Sequence, residues 1–361
     1  MIKSSYQDNT EIHFRTPGAQ DWAEAARQEL NGANPFEKLQ VFKGELVIQP
    51  YYQKTDLNQS ELLLPTSPSA IADARAWQNM PAIHVTNEKN ANTLALHYLN
   101  TGADGILFII EKDEINYETL LAEISLEHCA LSLLIESGYE KEAFQFLAST
   151  SNQKISGCIF YRQPKNSTQF FKSTAPTFAT TGICINQNTN PIDELVDALE
   201  AGVTLLDTFT DQGLSPDVIA TQIAFHINID ADFFLSIAKL KVLRKCWATI
   251  LQAYNVSAGL VNIHASSQAW IKESFQPHGN LIKSTTAALA AIAGGCNYLT
   301  VQPESDDEPG NRASRLVSAV LREESQLSRV ADPTAGSYYL ESLINQLVEK
   351  SWQKFVTRVA L

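Results

Sequence analysis

The chain is poor in the patterns that mark several large functional classes. Its five cysteines, Cys129, Cys158, Cys184, Cys246 and Cys296, are odd in number and nowhere spaced as C-x-x-C. Neither a disulfide framework nor a zinc site is suggested, and no other metal site is expected. Cations are scarce: 27 Lys and Arg stand against 40 Asp and Glu, a formal net charge of −13 over 361 residues. No basic tract interrupts that excess. Phosphate backbones are held by concentrated Lys and Arg, so a nucleic-acid partner is excluded. Long apolar runs are missing as well. Stretches such as 105–110 and 130–135 are strand-sized, far below the ~20 residues that span a bilayer, which argues against a membrane partner. The opening MIKSSYQDNTEIHF has neither an apolar h-region nor an Arg-rich transit character. With 44% hydrophobic and 19% charged residues the composition is globular, and the expected setting is the reducing cytoplasm.

What is present from residue 79 onward is an alternation of short β-rich runs with longer helical patterns. Strands are predicted at 83–86, 106–110, 131–135, 157–161, 182–185, 223–229, 259–264 and 298–302, with amphipathic stretches between them. Such alternation signals βα units and a parallel sheet. The strands read as continuous apolar runs, as expected when both faces are buried. Eight units point to an α/β fold of the (β/α)₈ TIM-barrel type. An open doubly wound sheet is the rival, but no G-x-G-x-x-G follows the first strand. Bulky aliphatics on both alternations of the runs at 105–110 and 130–135 predict a filled interior rather than an axial channel.

The expected domains are an extended N-terminal arm at 1–78, the barrel at 79–330 and a closing helix within 331–361. The arm has one helix, near 21–30, followed by a proline-punctuated stretch at 35–68 whose apolar residues need a surface, either the chain's own barrel or a partner. Asn190-Pro191 and Ala231-Asp232 open helices, and Gly294-Gly295 stops one. Lys239, Lys241, Arg244 and Lys245 lie in the later turns of the helix at 233–254, where cations suit the macrodipole.

Several segments carry a resemblance. The arm reads Trp22, Gly32, Pro35, Leu39, Pro50-Tyr51-Tyr52 and Asp56; then come ADFFLSIAKLKVLRKCWATI (231–250), HASSQAW (264–270), NLIKSTTAALAAIAGG (280–295) and LREESQLSRVADPTAGSYYLESL (321–343). In kind and order these resemble the acyl-CoA-binding part of the methylmalonyl-CoA mutases, adenosylcobalamin-dependent isomerases. The resemblance implies a (β/α)₈ barrel with the CoA tail along its axis, and a separate cobalamin domain marked by D-x-H-x-x-G. No such run occurs in this sequence. The closing helix is therefore expected to lead toward a cobalamin domain that is absent here.

Position by position, the resemblance breaks where active members carry chemistry. Their R-P-W-T-x-R-Q-Y segment leaves Arg75 and Trp77, but its Tyr falls near Ala82. Their S-G-Y-H on the fifth strand appears as TGIC, placing Ile183 and Cys184 at the Tyr and His positions. The stretch 172–181 lacks the Arg that would pair with a substrate carboxylate. The R-T-H of the seventh strand appears as Asn262-Ile263-His264, and the S-L-H-T-N of the eighth as Tyr298-Leu299-Thr300-Val301-Gln302. Five such replacements imply no catalytic residue in this chain. They resemble the non-catalytic small (β) subunit that stabilises a catalytic large (α) mutase subunit. Adenosylcobalamin is then a cofactor of the holoenzyme that this chain does not bind, and the isolated chain could pair with itself as a homodimer. Two alternatives stay open: an acyl-CoA mutase barrel served by a separate cobalamin-binding chain, and an acyl-CoA binding or sensing module. The ligand-binding candidates are Arg75, His264, Lys283 and Gln302. Three have plainer readings: Arg75 a cation stacked on Trp77, His264 a core histidine and Lys283 a helix-surface cation.

Overall fold

The computed structural model describes residues 17–57, 76–136, 138–149, 155–162, 177–185, 190–256, 261–268, 278–305 and 307–359. They fall into two compact units, Met1–Ser60 and Glu61–Leu361.

The first unit has a small core of its own. Helix α1 (Ala19–Glu29) presents Trp22, which stacks on Tyr51 at 5.2 Å and meets Phe36 of α2 (Pro35–Lys38) edge-on at 5.3 Å. An antiparallel hairpin follows, β1 (Val41–Lys43) and β2 (Leu46–Ile48), turning at Gly44 with φ +59°. A two-residue turn of this kind favours Gly at its first position. Leu46 is fully buried and Val47, Ile48, Tyr51 and Tyr52 are half-buried. The stretch whose apolar residues were expected to need another surface thus has a hairpin and an aromatic cluster of its own. Its residues 58–68 lie outside the described residues.

The second unit is built on nine short parallel strands. In chain order these are β3 (Gln78–Asn79), β4 (Ala82–His84), β5 (Gly105–Ile109), β6 (Ala130–Ile135), β7 (Gly157–Tyr161), β8 (Phe178–Cys184), β9 (Ile223–Ile229), β10 (Asn262–Ser267) and β11 (Tyr298–Thr300). The order around the sheet is β3-β11-β10-β9-β8-β7-β6-β5-β4. The two ends of this series are consecutive in the chain, parted only by Met80-Pro81. Proline has no N–H to donate, and the chain changes partner there. Met80 N donates to Leu299 O at 2.8 Å on one side, and Pro81 O accepts from Leu107 N at 3.1 Å on the other. Together β3 and β4 make one interrupted position, so nine strands fill the eight positions of a closed (β/α)₈ barrel.

Alternation along the strands separates two cores. Outward residues such as Ile106, Phe108, Leu131, Leu133, Ile159 and Tyr161 pack under α3 (Glu88–Asn100), α4 (Tyr117–Leu120) and α5 (Glu140–Ser149). Inward residues Met80, Ala130, Cys158, Phe160, Ala179, Ala224 and Tyr298 form a second cluster. Its members come from strands on opposite sides of the sheet, which only closure allows. Phe160 lies across Gly182, where an added Cβ would fall 2.4 Å from its ring. Small residues packed against Met80, Phe160 and Tyr298 make up this inner cluster, in place of the bulky aliphatics expected from 105–110 and 130–135.

On the second half of the barrel lie α6 (Pro191–Asp211), α7 (Pro216–Gln222), α8 (Phe233–Ala253), α9 (Gly279–Gly294), α10 (Glu308–Ala319) and α11 (Tyr338–Val359). Their caps follow from sequence: Asn190 Oδ1 accepts from Ile192 N ahead of Pro191, and Asp232 caps α8. Gly295, at φ +90°, ends α9. Gly202 of α6 admits the Trp247 ring of α8, which a Cβ would meet at 2.5 Å.

Some boundaries differ from expectation. The first position starts at Gln78, not 83, and the fifth strand at Phe178, not 182, so residues 178–181 belong to the sheet. The seventh strand runs Asn262–Ser267 rather than 259–264. Its polar HASS sequence hides a strand whose inner face is polar. Asp307 caps α10 by accepting from Gly310 N at 2.9 Å.

Candidate functional site: the barrel mouth and interior

Parallel strands deliver their carboxyl ends to one rim, where this fold assembles its sites. On consecutive strands that rim is charged. Arg162, just past β7, points its Nη2 at Glu111 Oε1 at 3.1 Å and its Nε at Glu136 Oε1 at 3.5 Å. Glu111 follows β5 and Glu136 follows β6, so the guanidinium reaches across two neighbouring strands. His84 at the end of β4 completes the group, with Nδ1 3.8 Å from Glu111 Oε1. Glu111 and His84 are 60% and 63% exposed, so these pairs are solvent-screened and worth up to about 1 kcal/mol each. Sequence reading missed all four residues. A signal was present, since three successive apolar strands end in a charge: FIIE, LLIE and FYR.

The family positions lie beside this rim. Cys184 ends β8, and burial pushes its thiol up to about 12. It therefore supplies no thiolate at neutral pH, and a thiol is a weak hydrogen-bond donor. Ile183 beside it carries no polar atom in its side chain, and Ala82 opens β4, also without one. No general acid, base or strong carbonyl donor stands at these positions.

The four ligand-binding candidates separate. Arg75 lies outside the described residues. Lys283 is half-buried on α9. Gln302, just past β11, is fixed through its backbone: its N donates to Ser267 Oγ at 2.8 Å, and its O accepts from Ser284 Oγ at 3.4 Å. His264 requires a correction. It was expected at a strand's C-terminal end, but the shifted register makes it the third residue of β10, facing inward and fully buried. Its Nε2 lies 2.8 Å from Thr300 Oγ1, whose hydroxyl donates to Met80 O at 2.6 Å. Beside it, in register on β9, is His226, which sequence reading did not single out; its Nε2 is 2.9 Å from Ser266 Oγ. The two imidazole centroids are 5.3 Å apart. Among the described residues no group of three or more His, Cys, Asp or Glu is placed to hold a metal ion. No described helix is long and apolar enough to cross a membrane.

Around the barrel, α8 anchors the shell. Lys239, almost fully buried, contacts Glu194 Oε2 at 3.0 Å and Asp230 Oδ2 at 3.2 Å. Burial raises the Glu194 carboxyl above its ordinary range, with the Lys239 charge opposing. Lys241 contacts Asp332 Oδ2 at 2.7 Å and Thr334 Oγ1 at 2.6 Å. Burial acts to raise the Asp332 carboxyl, but Lys241 outweighs it and holds that group below its ordinary value. Arg244 donates to Val261 O, Gly295 O and Asn297 Oδ1 at 2.6–2.7 Å. These cations were expected to serve the helix dipole; the structure gives three of them specific partners instead. Lys241–Asp332 joins the two sequence blocks, FFLSIAKLKVLR and DPTAGSYY, that carry the resemblance most strongly.

Comparison with known proteins agrees with this arrangement. Over 93% of its length the chain is 28% identical to a methylmalonyl-CoA mutase small subunit of Porphyromonas gingivalis, covering 62% of that protein. A small subunit from Streptomyces virginiae is 36% identical over 45% of the chain and 27% of its own length. A methylmalonyl-CoA mutase of Escherichia coli is 28% identical over 45% of the chain and 24% of its own. The chain thus matches less than two thirds of each of these relatives. The family model described as methylmalonyl-CoA mutase matches residues 157–359, which run from β7 through α8 to the end of α11. That match takes in more than half of the chain, and the chain belongs to the methylmalonyl-CoA mutase family.

Proposed function

We propose that this chain is a non-catalytic small subunit of an adenosylcobalamin-dependent methylmalonyl-CoA mutase, and that it stabilises a catalytic large subunit. The observation that carries this reading is the end of β8. There Ile183 and a thiol held protonated by burial stand where active members of the family place Tyr and His. A thioester carbonyl at that rim would meet no donor of comparable strength. The neighbouring Arg162 is engaged by two carboxylates, which leaves the mouth poorly suited to a polyanionic CoA. The filled interior, with Phe160 over Gly182, supports the same conclusion.

The residues present do not fit a cobalamin. The sequence has no D-x-H-x-x-G run, and both interior histidines are already hydrogen-bonded through Nε2. No chemical step is therefore assigned to this chain. Its part is structural: the isomerisation of succinyl-CoA and methylmalonyl-CoA would proceed on the large subunit. The similarity to small subunits along 93% of the chain supports this division of labour.

The test is co-expression with a catalytic large mutase chain. The two should elute together in size-exclusion chromatography, and the large chain should lose stability when purified alone. Separate elution at micromolar concentration would overturn the reading. Titration with a CoA thioester separates it from a sensing module, since the isolated chain should give no saturable heat.

A further inference from the structure

The two buried histidines have no part in the proposed function, and their surroundings are unusual. Thr300 spends its proton on Met80 O, so toward His264 its oxygen is an acceptor. That assigns the His264 proton to Nε2 and leaves Nδ1 as a bare lone pair. Nδ1 is fully buried and no described group donates to it. The ring is enclosed by Phe160 at 5.7 Å, Tyr298 at 5.8 Å and His226 at 5.3 Å, and no described group lies at hydrogen-bond distance to accept a proton placed on Nδ1.

Among the described residues no anion acts on the pair. From β7 and β8 the titratable neighbours are the Cys158 and Cys184 thiols, both held protonated by burial, and from β11 the neutral Tyr298 phenol. Among the described residues the full charge that acts on His226 is Arg162, a cation that repels its charged form. The rim carboxylates Glu111 and Glu136 are bound to Arg162.

We propose that His226 and His264 form an acid-labile lock inside the barrel: both rings stay neutral while the barrel is closed, and opening it takes up two protons. Burial supports this, lowering His226 from 6.5 to about 4 and His264 well below its ordinary value. The sign follows from linkage. Between the ordinary histidine value and the depressed ones the unfolded chain binds more protons than the folded one, so stability falls as the pH drops through that window.

Urea unfolding of the full chain between about pH 7.5 and about pH 5 tests the lock. Each ring contributes up to about tenfold in the unfolding constant per pH unit below its unfolded value, so the pair contributes about 100-fold. His264→Gln keeps a donor for Thr300 and should remove about one of the two protons from that dependence. An unchanged steepness would overturn the proposal. If the variant does not fold, selectively ¹⁵N-histidine-labelled wild-type chain decides: both rings should remain neutral across the range, with the His264 proton on Nε2. A ring among the two that titrates near its ordinary value, or a proton on His264 Nδ1, would overturn it.

Discussion

The shell around α8 and the rim at the barrel mouth use charge in opposite ways. In the shell, Lys239, Lys241 and Arg244 each reach two or three partners at hydrogen-bond distance, with Lys239 and Lys241 nearly free of solvent. At the rim, Arg162 is about one-third exposed and its partners Glu111 and Glu136 more so. Removing one member of a buried pair strands the other and costs several kcal/mol, whereas an exposed pair contributes little. The two blocks that carry the resemblance most strongly meet in the shell, through Lys241 and Asp332. Two positions that depart from it, Ile183 and Cys184, end β8 at the mouth. The instructions for building a barrel and the residues for chemistry occupy different places, so the second set can change while the first is kept.

The largest expected effect concerns the mouth. With its thiol pushed from 9.0 to about 12, Cys184 should be alkylated about a thousandfold more slowly than an ordinary cysteine at neutral pH. Peptide mapping after timed iodoacetamide treatment measures this, and rapid labelling at Cys184 would return reactive chemistry to the rim. In the shell, Lys239→Met leaves Glu194 and Asp230 facing each other without a counter-ion. A loss of about 3–5 kcal/mol in urea unfolding is expected. Lys241→Met should cost less, about 2 kcal/mol, because Asp332 remains 21% exposed and can hydrate. Asp332 also sets a pH dependence: its carboxyl lies below its ordinary 3.8 in the folded chain, so its contribution is complete above that value and is lost as the pH falls through the lowered one. The acid limb of the stability profile should flatten in Lys241→Met. The smallest effect belongs to Arg162→Gln, under about 1 kcal/mol and shrinking further in salt. A loss as large as that of Lys239→Met would erase the contrast between the two regions.

Much of the barrel was legible because its strands are apolar on both faces and its helices begin at recognisable caps, as at Asn190-Pro191 and Asp232. Legibility failed where the inner face is polar. The run Asn262–Ser267 carries His and Ser toward the interior, so the strand predicted at 259–264 stopped three residues short and put His264 at its end, while the plainer reading of that residue as a core histidine matches its full burial. It failed again where residues meet only through closure. Nothing local in FIIE, LLIE and FYR says that Glu111, Glu136 and Arg162 converge. Likewise, the macrodipole gave an incomplete account of Lys239 and Lys241, because their carboxylates lie 45 and 91 residues away in the chain.

The interruption at Met80-Pro81 gives the barrel a seam. Seven positions are hooped by strands that each bond to both neighbours, but the eighth is two short tabs: β3 pairs with β11 and reaches the β5 side through Asn79, whose O accepts from Asp104 N at 2.9 Å, and β4 pairs with β5. A closed ring is only as tight as its weakest stave. Thermal breathing should therefore start between β11 and β5, letting water reach the interior from one flank while the other staves stay joined. Hydrogen exchange would register this as early labelling at Met80 and Leu107, ahead of the amides in β6 and β9.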